Sequence, residues 1–82
     1  YLDTYAWILY NMGEYKEATI HITRAMIYGG NEDATLLDHY AEILYALGEY
    51  DLAFIYWEQA DKKDPSLGLG NKITERKKQL KK

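Results

Sequence analysis

Sliding the chain over itself by 35 residues aligns GEYKEA at Gly13 with GEYDLA at Gly48. Thirteen of the first 27 pairs are identical, where average residue usage gives about two by chance. The matches are Leu2/Leu37, Asp3/Asp38, Tyr5/Tyr40, Ala6/Ala41, Ile8/Ile43, Leu9/Leu44 and Tyr10/Tyr45, then Gly13/Gly48, Glu14/Glu49, Tyr15/Tyr50, Ala18/Ala53, Ile20/Ile55 and Ala25/Ala60. The chain therefore contains one structural unit twice.

Within each unit the apolar spacing is helical. Leu2, Tyr5, Ala6 and Leu9 fall at i, i+3, i+4 and i+7, and Leu37, Tyr40, Ala41 and Leu44 repeat them. A second stripe follows each glycine: Tyr15, Ala18, Ile22 and Ala25, then Tyr50, Ala53, Trp57 and Ala60. Gly13 and Gly48 supply the positive φ that closes one helix and reverses the chain. The pattern predicts helices over about 2–12, 15–28, 34–46 and 50–63. Short connections make the helices of a pair antiparallel neighbours. Ala6 with Ala18, and Ala41 with Ala53, would let their axes approach closely. Gly29-Gly30-Asn31 ends the first unit, and Asp64-Pro65, holding the single proline, ends the second. Beyond them, Ile73 and Leu80 lie seven apart, with Leu67 and Leu69 ahead. This predicts a capping helix over 71–81 with Asn71 as its N-cap.

The pattern G-x-Y-x-x-A, then an apolar residue and an alanine, then Asp-Pro, on paired helices, resembles the tetratricopeptide repeat, whose period is about 34 residues. Ala41, Gly48, Tyr50, Ala53, Ala60 and Pro65 stand at signature positions of the second unit, with Leu37 where tryptophan is frequent and Trp57 at a large aromatic position. The first unit matches through Ala6, Gly13, Tyr15, Ala18 and Ala25, and departs in Gly30, where proline is usual, and in one extra linker residue. The resemblance covers residues 1–67. It implies an all-α chain, a right-handed α-α solenoid of two hairpins (1–32 and 33–67) with a capping helix and basic tail (68–82). The stretch YLDTYAWILY followed by GEYKEA resembles the last repeats of bacterial multi-repeat chains.

Composition narrows the functional classes. A hydrophobic content of 48% excludes disorder, and charges interrupt every apolar run before it could span a membrane. With no cysteine among 82 residues there is no disulfide framework, zinc-finger cluster or thiol nucleophile. The chain opens at Tyr1 with neither an initiator methionine nor a signal-peptide pattern, as a piece of a longer protein would. Charge is unevenly spread. Residues 1–61 carry two cations against eleven acids, and residues 62–82 carry eight against two.

In repeats of this kind the first helix of each pair lines a concave groove. The resemblance thus places Asp3, Thr4, Trp7, Tyr10 and Asn11, with Thr35, Asp38, His39, Glu42 and Tyr45, on one acidic and aromatic surface. Such a surface suits a peptide or helix presenting Lys or Arg beside apolar anchors. The site expected for a partner is Asp3, Trp7, Tyr10, Asn11, Asp38, His39, Glu42 and Tyr45. Tyr10 and Tyr45 are duplicated, and duplicated residues more often report repeat architecture than a site. Trp7, Asn11, His39 and Glu42 differ between units and speak better for a specific surface. Family members that grip a chaperone's C-terminal carboxylate use Lys, Asn and Arg. Here Asp3, Asp38 and Glu42 would repel it, and only Asn11 is of a suitable type.

No catalytic or cofactor reading emerges. His21 and His39 are the only histidines, and no HExxH, GxSxG or phosphate-binding glycine loop occurs. Asp38, His39 and Glu42 do not make a metal site, because adjacent residues on a helix point about 100° apart and two ligands do not fill a tetrahedral site. His21 is expected on the convex surface, and Glu14 and Glu17 as first-turn charges. Six cations between Lys72 and Lys82 could make a weak nucleic-acid contact, yet no aromatic residue is interleaved to stack bases and the acidic body opposes a polyanion, so a solvated helix end is the favoured reading. The remaining alternative is architectural. Tyr1, Leu2 and Tyr5 open directly onto a helix with nothing ahead to cover them, which invites self-association.

Overall fold

A computed structural model of the chain describes residues 2–28 and 33–80, the side chains of Leu2 and Asp3 excepted. Tyr1, the expected stop at Gly29-Gly30-Asn31, and the tail residues Lys81 and Lys82 lie outside the described residues. The described chain is all-helical: α1 (Leu2–Asn11), α2 (Tyr15–Ile27), α3 (Ala34–Ala46), α4 (Tyr50–Lys63), a 3-10 turn (Pro65–Leu67) and α5 (Leu69–Leu80).

The two hairpin turns are closed by the same hydrogen bonds. Gly13 N–H donates to the Tyr10 carbonyl at 3.0 Å and Glu14 N–H to that of Leu9 at 2.9 Å. Gly48 and Glu49 repeat this on Tyr45 and Leu44 at 3.1 and 2.9 Å. This pair of bonds is the Schellman motif, which satisfies the last carbonyls of a helix when the next residue has positive φ. Gly13 and Gly48 have φ of 84° and 88°. A side chain at either would be strained, although nothing stands within 4 Å of the space it would fill.

The hairpin seams are lined by alanine, as their spacing predicts. Ala6, Ala18, Ala41 and Ala53 are all fully buried. One apolar cluster joins Ala6, Leu9, Ala18 and Ile22 to Leu36 and Ile43 of α3. The other joins Leu37, Ala41, Leu44, Ala53, Phe54, Trp57 and Ala60 to Leu69 and Ile73 of α5. Met26 and Tyr40 pack against both clusters. The duplication extends to the rings: Tyr5 meets His21 edge-on at 4.6 Å, and Tyr40 meets Tyr56 likewise at 4.8 Å.

The last helix differs from the expectation in start, cap and buried strip. Asp64 caps the 3-10 turn, accepting from Ser66 N–H at 3.1 Å, and Gly68 leaves it at φ 66°. That positive φ lets α5 begin at Leu69, so Asn71 lies inside the helix and is not its N-cap. The buried strip is Leu69 and Ile73, one turn apart, while Leu80 is exposed. His21 of α2 is half-buried beside Tyr5.

Candidate functional site

The spacing that makes α1 and α3 amphipathic also leaves one polar and aromatic stripe on each. Trp7, Tyr10 and Asn11 lie on α1, and Asp38, His39, Glu42 and Tyr45 lie on α3. Contact between α1 and α3 brings these stripes together. The Trp7 ring stacks on Tyr10 at 4.7 Å with 10° between planes, and on His39 across the hairpin boundary at 4.0 Å and 15°. The Tyr10 hydroxyl donates to Glu42 Oε2 at 3.3 Å. Exposed Asn11 turns its amide back onto its own helix, donating to the Trp7 carbonyl at 3.0 Å. Asp3 is on α1, but its side chain lies outside the described residues.

The acidic half of this surface is engaged from within. Lys72 Nζ of α5 lies 2.9 Å from Asp38 Oδ1 and 3.0 Å from Glu42 Oε1, and Arg76 reaches the same Glu42 oxygen at 3.5 Å. Asp38 Oδ1 also accepts from the Trp57 indole N–H at 2.8 Å. The Arg76 guanidinium lies over the Tyr45 ring at 4.6 Å and the Trp57 ring at 5.5 Å, where the ring faces attract cations. Glu42 is 7% exposed. A carboxylate so enclosed is held by three hydrogen-bonding or charged neighbours, Tyr10, Lys72 and Arg76, which offset its loss of water. Asp38 and Glu42 thus serve the fold before any partner arrives. Both carboxylates of the expected groove therefore already have cationic neighbours within the chain.

Lys72 and Arg76 are what the sequence reasoning missed at this surface. The signal was available. Asp38 and Glu42 stand four apart on one helix, Lys72 and Arg76 four apart on another, and each acid precedes its cation by 34 positions. The expectation of a solvated cationic helix end fails for these two, and it fails in part for Lys77, which lies 3.5 Å from Glu58. A cationic tail spent on intramolecular acids has less to offer a polyanion.

Three groups here and at the neighbouring seam hold their protons more tightly than usual. Burial, reinforced by the Glu42 charge and hydrogen bond, raises the Tyr10 pKa. Burial and then the neighbouring Tyr56 raise that of Tyr40. For Lys72 burial acts downward, but the hydrogen bonds and charges of Asp38 and Glu42 outweigh it and the pKa is raised. All three act in the same direction on stability. Each contributes fully below its unfolded value, about 10 for tyrosine and 10.4 for lysine, and loses that contribution as pH rises through the higher folded value. Urea midpoints are therefore expected to fall above about pH 10. Lys72→Met should remove part of this alkaline slope, and an unchanged slope would show that the Lys72 pairing does not favour the folded chain.

Among the described residues no group of three His, Cys, Asp or Glu side chains stands where it could hold a metal ion. No described helix is long and apolar enough to cross a membrane. No family model, curated protein or solved structure matches the chain.

Proposed function

We propose that the chain is a non-catalytic protein-interaction module, a right-handed α-α solenoid of two tetratricopeptide-like hairpins capped by α5. In this reading it binds a peptide or helix along the face shared by α1 and α3. The matched Schellman turns, the paired alanine seams and the α1–α3 contact support the architecture. The observation that carries the function is the ring stack of Trp7 with Tyr10 and His39. Trp7 belongs to neither apolar cluster and stays partly open, whereas Trp57 is fully buried. Tryptophan held at a surface by neighbouring rings offers a large contact area at small entropic cost, which is the character of binding hot spots.

The pairing of Asp38 and Glu42 alters the partner chemistry from the acidic groove that the sequence implies. A partner's lysine or arginine would have to compete with Lys72 and Arg76. The partner's apolar or aromatic anchor on Trp7 and His39 therefore dominates, and added cations contribute little.

The test is to pan a random peptide library on the whole chain and measure the enriched peptides against Trp7→Ala. Binding is expected to weaken at least about tenfold, while Ile20→Asp, on another face, leaves it unchanged. The substitution itself is expected to cost about 1–2 kcal/mol, from two ring contacts and partial burial, well short of the ~3–5 kcal/mol of a core tryptophan. Failure to enrich any peptide, or peptides indifferent to Trp7→Ala, would overturn the reading.

A further inference from the structure

The inward stripe of α5 is Leu69, Lys72, Ile73 and Arg76, at i, i+3, i+4 and i+7, and of its 12 residues only Leu69 and Ile73 are buried. The rest of the stripe is cationic. Lys72 and Arg76 meet Asp38 and Glu42 of α3, and beside them Lys77 Nζ stands 3.5 Å from Glu58 and 5.5 Å from the centre of the Phe54 ring. These cations keep side-chain exposures of 29% to 49%, so water and salt reach them. The surface beneath is made by other elements: eight of the ten buried residues in its apolar cluster belong to α3 and α4. The connection to α5 is equally light. Residues 65–68, from the 3-10 turn to Gly68, are all exposed, and nothing stands within 4 Å of the space beside Gly68. A rotation there moves no buried side chain.

We propose that the α3–α4 surface under α5 is a docking site for a basic amphipathic helix of a partner protein, and that α5 is its resident occupant, displaced when such a helix binds. The pattern of α5 states what the surface accepts: apolar side chains at i and i+4, and cations at i+3, i+7 and i+8. The apolar pair covers the Trp57 region, and the cations take the Asp38, Glu42 and Glu58 carboxylates and the faces of Tyr45 and Trp57. Single cations gain little there, because Lys72 and Arg76 already hold the carboxylates. A helix with the whole pattern replaces every contact at once. The short tether presents α5 at an effective concentration on the order of millimolar, which sets a threshold that weak basic peptides do not pass. A second copy of the chain is a poorer occupant, since its residues 1–61 carry two cations against eleven acids and the two bodies repel. The site uses rings of α4 and none of Trp7, so the inference stands apart from the proposed peptide face on α1 and α3.

The experiment titrates an unlabelled synthetic peptide of residues 68–82 into the intact chain labelled with nitrogen-15 and follows amide exchange by NMR. At millimolar peptide, on the order of the tether's effective concentration, the α5 amides of the chain are expected to lose at least about tenfold in protection, since a released helix this short is marginal in water. The amides of α3 and α4 should keep theirs. Ile73→Asp in the chain, which loosens its own α5, should bind the peptide at least about tenfold more tightly than the unaltered chain does. Arg76→Gln, which leaves Leu69 and Ile73 in place, should move affinity in the same direction and serves where Ile73→Asp does not fold. The peptide carrying Arg76→Glu should fail to displace α5, and Trp7→Ala in the chain should leave displacement unchanged. Retained α5 protection, displacement by the Arg76→Glu peptide as well, or no tighter binding to either loosened chain would overturn the proposal. So would a concentration-dependent dimer of the peptide-free chain that exchanges α5 between copies, because the occupant would then be a second copy.

Discussion

Trp57→Ala is expected to cost about 3–5 kcal/mol and to lower the urea midpoint of the chain steeply. The side chain is fully buried where three helices meet, touching Phe54 at 5.7 Å between ring centres and Tyr45 at 5.7 Å. Lys72 and Arg76 pass over it at 5.5 Å. A chain of 82 residues has only roughly 4–12 kcal/mol of total stability. One such cavity therefore removes a large share of it. Trp57→Phe separates packing from hydrogen bonding, because it keeps most of the ring and loses the N–H that Asp38 accepts. Its expected cost is about 1–2 kcal/mol. Urea titration followed by helical circular dichroism measures both. A loss below about 1 kcal/mol for Trp57→Ala would contradict its place at the centre of the larger cluster.

Glu42→Ala is the second large effect, expected near 2 kcal/mol. Removing one partner of a buried ion pair costs about 3–5 kcal/mol when its cations stay buried. Here the Lys72 and Arg76 side chains retain 31% and 29% exposure and can turn partly to water, which lowers the figure. Tyr10 loses its acceptor at the same time. A double-mutant cycle with Arg76→Met isolates the charged contact from packing and should return a coupling above about 0.5 kcal/mol. A coupling of zero would mean that α5 is held by Leu69 and Ile73 alone, with Arg76 merely resting on the surface.

The hairpins were legible because their signals are local and stated twice. Alanine at 6, 18, 41 and 53, and glycine at 13 and 48, each impose one backbone solution, and the second copy removes ambiguity. The helices over 34–46 and 50–63 agree with α3 and α4 at both ends. The cap was less legible. Gly68 sits among Leu67, Leu69 and Gly70, and only its left-handed conformation after a 3-10 turn shows that α5 starts at Leu69. Of the expected site, Trp7, Tyr10, Asp38, His39, Glu42 and Tyr45 do gather. What reading along the helices one by one could not show is that α5 brings two cations to the same carboxylates. That pairing depends on a contact between residues 34 apart.

Met26 and Tyr40 each touch both apolar clusters. Among the described residues these two are what the clusters share, and neither cluster holds side chains of all five helices. Met26 and Tyr40 join the two clusters, while Leu36, Ile43 and the Trp7–His39 stack carry the first hairpin onto α3 beside them. Their packing, more than the strength of either cluster, decides whether the halves open together or as separate steps, and how far a disturbance at α1 is felt at α5.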